Sequence, residues 1–272
     1  MTSLEVLAAG ALTTVQDRGR VGLAHLGVPR AGPLDRPAAE LANRLVGNDT
    51  DAAVLEVTLG GFAARLSGGA WVALTGAGRP HSRAEWVPAG GTVEVPAPPT
   101  GVRTYLAVAG GIAVEPVLGS RSTDTLAWVG PPRVADGAVL PVGVPAGEPR
   151  PLDTPRLPRT GPLRLHPGPH RGYFADRVLD ELGAATYAVR AESNRVGLRL
   201  DGPVVARRGS AELPSEGMVL GAVQVPPDGQ PVVLLADHPP TGGYPVVAVV
   251  DPGDLWQCAQ LRPGETVTFT LT

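Results

Sequence analysis

Closely spaced turns are the feature that most constrains how this chain can fold. Its 272 residues include 36 glycines and 30 prolines, which separate short runs rich in valine, leucine, alanine and threonine. Glycine and proline mark turns, and apolar runs of about four to eight residues are typical of strands. The sequence therefore predicts a mainly β fold in which many tight turns connect short strands.

Two stretches break this pattern and predict helices. Pro33–Val46 has a proline in its first turn and an apolar face, and Gly47 stops it. His170–Leu182 has a similar apolar stripe and ends before Gly183. Because several strands follow each helix, we expect two β-barrel-like lobes with one helix each. The strands are predicted at Ser3–Ala8, Ala53–Thr58, Ala63–Leu66, Trp71–Thr75, Thr92–Val95, Thr104–Ala109, Leu163–Leu165, Thr186–Arg190, Val196–Leu200, Val219–Val225, Val232–Ala236, Val246–Val250 and Thr266–Leu271.

A proline-rich segment divides the chain. Residues 145–163 contain six prolines and predict a linker or surface arm that is polyproline-like in part. We therefore expect an N-terminal lobe over residues 1–155 and a C-terminal lobe over residues 156–272, with strands free to cross between them.

The composition excludes several kinds of partner and cofactor. All 23 basic residues are arginine, so no lysine is present to bind ATP phosphates in a P-loop, to form a Schiff base or to carry biotin. A net charge of −3 gives no basic footprint for nucleic acid. No apolar run approaches the roughly 20 residues that span a membrane. A single cysteine, Cys258, and an N-terminus without the basic region of a signal peptide predict a cytoplasmic protein.

Short motifs of self-contained enzymes are missing or broken. His166 and His170 are four residues apart, but the proline–glycine–proline between them prevents a helical zinc pair. TGAGRPH at residues 75–81 begins like a dinucleotide loop, yet it lacks the third glycine and predicts a turn. There is no G-x-S-x-G nucleophile elbow, and Cys258 has no histidine nearby in the sequence. We therefore expect neither a metal site nor a complete hydrolase.

Polar residues occur instead in Gly-rich turns. Each turn taken singly has an ordinary structural explanation, because Asp and Ser side chains bind their own backbone and glycine adopts positive φ. The segments are TTVQDRGR (13–20), GVPRAGPLD (27–35), GSRSTD (119–124), ESNRVGLRL (192–200), PSEGM (214–218) and LLADHPPTGGYP (234–245).

Eight blocks in register extend this pattern over nearly the whole chain: TTVQDRGR, GVPRAGPLDRPAAELANRLVGN, LEVTLGG, AGGI, VLGSRSTD, SNRVGLRL, GAVQVPPDG and TGGYP. In this order they resemble the KipA family, whose members are biotin-dependent carboxyltransferase domains, allophanate hydrolase subunit 2 and the C subunit of 5-oxoprolinase. The departures are His238-Pro239-Pro240, where relatives often have a more polar stretch, and the proline-rich arm before residue 160.

The resemblance implies cyclophilin-like β-barrel lobes and a protein that works with partner subunits. The first implied function is that of the C subunit of an ATP-dependent 5-oxoprolinase, which opens the 5-oxoproline lactam to glutamate with a KipI-like subunit and a LamB/YcsF-like subunit. One alternative is a carboxyltransferase component that moves a carboxyl group from biotin to urea or a similar amide. Another is a non-enzymatic regulator that binds KipI. We expect no cofactor on this chain, ATP use by the complex, and biotin only in the carboxyltransferase alternative.

Both enzymatic functions require a polarised amide carbonyl, and the polar turns supply candidate residues. Their arginines can polarise the carbonyl or clamp a substrate carboxylate, and their carboxylates can transfer protons. Alternatively, the arginines pair with these carboxylates and tie the lobes together. We expect one cleft between the lobes to be lined by these residues. The predicted catalytic residues are Arg121, Asp124, Arg195, Glu216 and Asp237, and the predicted substrate-binding residues are Gln16, Asp17, Ser122, Thr241, Gly243 and Tyr244.

Overall fold

Two compact units make up the chain, and a computed structural model describes residues 2–78, 83–149, 160–209 and 213–272. The first unit comprises Met1–Arg20, Ala31–Asp124 and Trp128–Pro158. The second comprises Val21–Arg30, Thr125–Ala127 and Arg159–Thr272. Strands predominate in both, which confirms the mainly β class. The predicted lobe boundary at residue 155 and part of the predicted linker lie outside the described residues, as do residues 79–81 of TGAGRPH.

The first unit is a sandwich of two antiparallel sheets. Its strands are β1 (Ser3–Ala9), β2 (Leu12–Gln16), β3 (Val54–Thr58), β4 (Phe62–Leu66), β5 (Ala70–Gly76), β6 (Ala84–Val87), β7 (Thr92–Val95), β8 (Arg103–Val108) and β9 (Val139–Pro141). One sheet has the strand order β7-β4-β1-β9 and the other β2-β3-β8-β5-β6. Apolar side chains from both sheets, among them Leu4, Phe62, Leu55 and Leu106, form one buried core. The first unit is therefore held together by a core shared between its two sheets.

Strand β1 illustrates how the sequence produces the sandwich. Leu4 and Val6 are buried in the core, whereas Glu5 and Leu7 are exposed. This alternation is the pattern of a strand with one solvated face. Strand β8 is instead buried along its whole length, because a helix covers the outer face of its sheet.

That helix, α1 (Arg36–Leu45), begins later than the sequence predicts. Asp35 is its N-cap, since its Oδ1 accepts a 3.0 Å hydrogen bond from the Ala38 N–H. The Tyr105 hydroxyl accepts a 2.7 Å bond from the Asp35 N–H and donates a 2.7 Å bond to Glu56. Burial, and then the Glu56 charge, raise the pKa of Tyr105 well above its usual value, so the hydroxyl remains a donor. The cap is thus fixed from the sheet, and the helix starts there.

The second unit contains a closed seven-stranded barrel. The strands of the whole unit are β10 (Leu163–Pro167), β11 (Thr186–Val189), β12 (Gly197–Asp201), β13 (Glu216–Gly217), β14 (Ala222–Gln224), β15 (Val232–Leu234), β16 (Thr241–Gly242), β17 (Val246–Val250) and β18 (Thr266–Leu271). The barrel has the order β10-β17-β14-β15-β12-β11-β18, and a parallel pairing of β10 with β18 closes it. The short strands β13 and β16 form a separate two-stranded ladder.

The helices of the second unit differ from the prediction. The expected helix His170–Leu182 is divided, because Arg171–Tyr173 form a 3-10 turn and Phe174 is extended. The α-helix α2 covers only Val178–Ala184. A further helix, α3 (Leu255–Cys258), is not predicted, since one turn has too few residues to show a helical period.

Three polar segments that are predicted as turns contain strands. TTVQDRGR begins in β2, and its turn starts only at Asp17. Every residue of β2 after Leu12 is buried, and polar Thr13 is satisfied by a 2.7 Å bond from its hydroxyl to Ala9 O. Buried polar residues hide the alternation by which a strand is recognised. PSEGM and TGGYP likewise supply the paired strands β13 and β16.

Candidate functional site

The carboxylate of Asp17 organises a polar cluster in the first unit. Its Oδ1 accepts hydrogen bonds from the Gly19 N–H at 3.0 Å and from Ser122 Oγ at 2.7 Å. Ser120 Oγ donates to the same oxygen. The Arg121 N–H donates to Oδ2 at 2.6 Å. These four donors join the turn after β2 to residues 119–124, so two segments predicted from the sequence as parts of the site meet here.

The same donors hold Asp17 in its ionised form. Burial raises the pKa of this carboxyl group, but the hydrogen bonds from Ser120, Arg121, Gly19 and Ser122 favour the charged form and together outweigh burial. The pKa therefore lies below its ordinary value of 3.8. No basic side chain in the described ranges forms an ion pair with Asp17, so neutral dipoles stabilise the charge.

Gln16 occupies a fully buried position beside this turn. Its Nε2 donates 2.9 Å bonds to Thr14 Oγ1 and Thr123 O, and its Oε1 accepts a 3.1 Å bond from the Gly32 N–H. Both ends of the amide are therefore engaged by protein groups. This geometry makes Gln16 a positioning residue for the Asp17 turn, and its predicted contact with substrate stays a prediction.

Arg20 is a residue of this cluster that the sequence analysis did not select. It is buried, its Nε donates to Val117 O at 3.0 Å, and its Nη2 donates to Ser122 O at 2.6 Å. It thereby fixes both sides of the VLGSRS turn. The neighbouring Arg18 is exposed. Nothing in the sequence distinguishes the two arginines, because only burial separates them.

Arg121 and Asp124 lie on the same segment in different environments. The Arg121 side chain is half-buried, and its Nε donates to Val114 O at 2.6 Å. Across the described part of the chain, no carboxylate lies within ion-pair distance of Arg121. Asp124 is completely buried, and its N–H donates to Val129 O at 3.0 Å. Of the two side chains, only Arg121 has exposed surface with which to meet a ligand.

A buried ion pair organises the second unit. Arg195 donates from Nε to Asp237 Oδ2 at 2.8 Å and from Nη2 to Oδ1 at 2.9 Å, a bidentate geometry. Thr125 adds bonds from its N–H at 2.9 Å and from Oγ1 at 2.7 Å, both to Oδ2. Neither member of the pair has more than 2% of its surface exposed. The pair fixes the start of the segment that continues to Tyr244.

The ladder of β13 and β16 brings two further predicted segments together. Glu216 pairs with Gly242, and Gly217 pairs with Thr241. Thr241 is exposed, Gly243 is half-buried, and Tyr244 exposes 47% of its surface. The predicted substrate-binding residues of this segment are therefore accessible.

Glu216 has a histidine partner that the sequence analysis did not select. His170 Nδ1 accepts a 3.1 Å bond from the Val246 N–H, so the proton of the neutral ring resides on Nε2. Nε2 lies 3.2 Å from Glu216 Oε1, to which it donates. A His–Glu pair cannot be inferred from residues 46 positions apart in sequence, because nothing in their spacing links them.

Some of the predicted site residues meet within each unit. Gln16, Asp17 and Ser122 meet in the first unit, and Arg195 meets Asp237 in the second. The single cleft predicted for all of them stays a prediction. Within residues 2–78, 83–149, 160–209 and 213–272, no group of three or more His, Cys, Asp or Glu side chains is arranged to hold a metal ion. Over the same residues, no helix combines the length and the apolar character needed to cross a membrane.

Comparison with known proteins gives matches over nearly the whole chain. Residues 26–271 match the model of the family described as "Carboxyltransferase domain, subdomain A and B". The C subunit of 5-oxoprolinase from Escherichia coli (strain K12) is 39% identical over 98% of this chain and 90% of its own length. The crystal structure of TTHA0988 has 40% sequence identity and a TM-score of 0.88, covering 99% of this chain and 55% of that one. Kluyveromyces lactis urea carboxylase has 31% identity and a TM-score of 0.89, covering 98% of this chain and 27% of that enzyme.

Proposed function

Because the chain belongs to the family of carboxyltransferase domains, subdomains A and B, we propose that it is the C subunit of an ATP-dependent 5-oxoprolinase. In this role it helps to open the 5-oxoproline lactam to glutamate, together with a KipI-like subunit and a LamB/YcsF-like subunit, in the cytoplasm. One observation carries the proposal: the alignment with the E. coli 5-oxoprolinase C subunit takes in 98% of this chain and 90% of that protein.

Arg121 is the residue that we assign to the carboxylate of 5-oxoproline. Its guanidinium is half-buried and retains donors beyond the one that binds Val114 O. Arginine presents paired N–H groups that match a carboxylate, and partial burial strengthens such a contact. The backbone of Arg121 is held by Asp17, so the side chain extends from a fixed point.

Arg195 has a different role in this proposal. Two of its nitrogens bind Asp237, and both residues are buried. We therefore assign the pair to positioning of the segment from His238 to Tyr244, rather than to contact with substrate. Glu216, with its His170 partner, is the carboxylate that we assign to proton transfer, because its side chain is accessible.

ATP is used by the complex in this proposal, and this chain contributes no phosphate-binding loop. Lactam opening adds water to the carbonyl carbon and breaks the C–N bond, and ATP hydrolysis in the partner subunits drives it. The role of this chain is to bind and orient the amide. This lowers the activation barrier, because the reacting groups are held in place.

Carboxyl transfer from biotin to urea or a similar amide is the second candidate function. The match to K. lactis urea carboxylase, with a TM-score of 0.89, favours it. That match covers 27% of the larger enzyme, so this function additionally requires a biotin carrier and a biotin carboxylase. In both candidate functions, a domain of this family binds an amide substrate.

Reconstitution with purified partners tests the proposal. The chain is combined with the KipI-like and LamB/YcsF-like subunits, and glutamate is measured with 5-oxoproline and ATP, with each component omitted in turn. We expect glutamate only when all three proteins and ATP are present.

A parallel reaction supplies urea, a biotinylated carrier and a biotin carboxylase. Carboxylated urea without glutamate would replace the first function by the second, and assembly with the KipI-like subunit without either product would favour a KipI-binding regulator.

A further inference from the structure

His238 has a ring nitrogen that no group of the protein uses. Its Nδ1 lies 2.8 Å from Pro239 O. A carbonyl oxygen only accepts hydrogen bonds, so Nδ1 carries the proton and Nε2 keeps its lone pair. Throughout the described ranges, no donor reaches Nε2. The tautomer of His238 is therefore fixed, and Nε2 is its free hydrogen-bond acceptor.

The free nitrogen lies at the accessible part of a buried side chain. His238 exposes 8% of its surface. Nε2 forms no hydrogen bond and yet is not among the fully enclosed polar atoms, so the exposed part of the ring includes it. A ligand can thus reach Nε2 while the rest of the imidazole is held by protein.

The surroundings of His238 are rigid. Its N–H donates to Leu235 O at 3.0 Å, and the preceding Asp237 is locked by Arg195 and Thr125. Two prolines follow, and each fixes its own φ near −65°. A site of this kind is preorganised, because the groups that support it are themselves immobile.

Two other histidines use both ring nitrogens, whereas the exposed His25 uses only Nδ1. His170 binds the Val246 N–H through Nδ1 and Glu216 through Nε2, so both of its nitrogens serve the fold. His166 likewise has Thr272 near Nδ1 and Asp251 near Nε2. His238 differs from both in being buried and in having a partner at Nδ1 alone.

Burial favours the neutral form of His238. Burial lowers its pKa below the ordinary 6.5, and the Arg30 cation acts in the same direction. The bond to Pro239 O and the Asp237 charge, which is paired with Arg195, act in the opposite direction but do not outweigh burial. At neutral pH the ring is therefore uncharged and able to accept a proton.

We propose that His238 is a further catalytic residue, whose Nε2 accepts the proton of the substrate's amide N–H. This inference rests on the proposed function, because it requires an amide substrate. The N–H bond breaks as the Nε2–H bond forms, and the electron pair left on nitrogen delocalises onto the carbonyl oxygen. In lactam opening, that oxygen then attacks the terminal phosphorus of ATP, and the bond to ADP breaks. Water adds to the activated carbon, the C–N bond breaks as the nitrogen regains its proton, and phosphate leaves. In the carboxyltransferase alternative, the nitrogen instead attacks the carboxyl carbon carried by biotin, the bond from that carbon to biotin breaks, and the biotin nitrogen takes up the proton.

Two substitutions separate this role from a structural one. In His238→Asn the amide Nδ2 takes the place of Nδ1 and keeps the bond to Pro239 O, but the base is lost. In His238→Gln an oxygen takes the place of Nε2, which accepts a hydrogen bond but does not take a proton at neutral pH. Since general base catalysis contributes about 100-fold or more, we expect kcat of the assembled complex to fall about 100-fold in both variants. The unfolding midpoint of His238→Asn should stay near that of the wild type.

His25→Asn is the matched control. His25 also has Nδ1 at 3.0 Å from a carbonyl, Gly22 O, but it is exposed. We expect unchanged kcat in this variant.

In the wild type, kcat should fall as the pH drops below the lowered pKa of His238, because the ring then becomes protonated. Both His238 variants should lack this acidic limb. Unchanged kcat in them, or the same acidic limb, would overturn the proposal.

A spectroscopic measurement on the chain alone keeps this test distinct from that of the proposed function. Nitrogen-15 spectra of the imidazole rings at about pH 7.5, above the ordinary histidine pKa, should show His238 neutral with its proton on Nδ1. A proton on Nε2, or a charged ring, would overturn the inference whatever the reaction. A wild-type complex inactive on 5-oxoproline but active in urea carboxylation would reject only the proposed function, and the same variants would then be tested on urea. Inactivity on both amides would reject both.

Discussion

Asp17 in the first unit and Asp237 in the second each accept four hydrogen bonds, but from different kinds of donor. Two hydroxyls and two backbone N–H groups bind Asp17. The bidentate guanidinium of Arg195, with the N–H and hydroxyl of Thr125, binds Asp237. One carboxylate is thus stabilised by neutral dipoles, and the other is neutralised by a cation.

This difference has consequences for the two arginines of the predicted site. The guanidinium of Arg195 is engaged by its carboxylate in a buried pair. Arg121 binds the Asp17 carboxylate through its backbone N–H, whereas its guanidinium donates to Val114 O and forms no ion pair in the described residues, so its charge is available to a ligand. Two residues to which the sequence assigns the same role therefore separate into a positioning residue and a candidate ligand-binding residue.

Arg195→Ala should give the largest effect. It leaves the Asp237 charge buried without its cation, and loss of one partner of a buried pair costs about 3–5 kcal/mol. We expect the free energy of unfolding, measured by denaturant titration, to fall by that amount. Arg199→Ala on strand β12 is the control, because Arg199 is exposed and should change stability by less than about 0.5 kcal/mol. Equal stability of both variants would show that the pair does not organise the second unit.

Asp17→Asn should have a smaller effect. The substitution removes one acceptor and turns an amide N–H toward donors that need an oxygen, which costs about 1–3 kcal/mol. We expect this loss near neutral pH in denaturant titrations, and little change for exposed Asp51→Asn. A loss as large as that of Arg195→Ala would break the distinction between dipole and cation stabilisation.

The pH dependence of stability sharpens the same distinction. Because the folded pKa of Asp17 is below the ordinary 3.8, its contribution is fully present above that value. The contribution decreases as the pH falls toward the folded pKa and is absent below it. The wild type and Asp17→Asn should therefore converge in stability in strong acid. A constant difference between them down to the acid transition would contradict the assignment.

The fold is predicted from the sequence where one face of an element is solvated. Strand β1 and helix α1 show their period because polar residues mark the outer face. Strand β2 is not predicted, since Thr14 and Gln16 are polar and buried. The start of α1 also depends on Tyr105, which is distant in sequence and binds the capping residue. Burial and long-range hydrogen bonds are properties of the folded chain, so local patterns do not reveal them.

The sequence predicts which segments contribute to the candidate site, but it does not predict which residues hydrogen-bond to one another. Asp17, Arg121 and Asp237 all lie in turns that the sequence analysis selects. Their partners do not follow from spacing, since Asp17 binds Arg121 and Ser122, which are 104 and 105 positions away. His170 and His238 are not selected, because histidines in sequence are recognised most easily by metal-ligand spacing. Their signal is a hydrogen bond that fixes the tautomer, and it exists only in three dimensions.

The proposed function requires that this chain itself bind the substrate, with Arg121 holding the substrate carboxylate. The complex with the KipI-like and LamB/YcsF-like subunits is assayed with 5-oxoproline and with 2-pyrrolidinone, the same lactam without the carboxylate. Arg121→Ala should lower kcat/KM for 5-oxoproline at least tenfold, or about 1.4 kcal/mol. It should leave the value for 2-pyrrolidinone and the unfolding midpoint unchanged, as should the control Arg18→Ala for both lactams. An equal fall for both lactams, or no fall for either, would contradict the claim that this chain holds the carboxylate of the substrate.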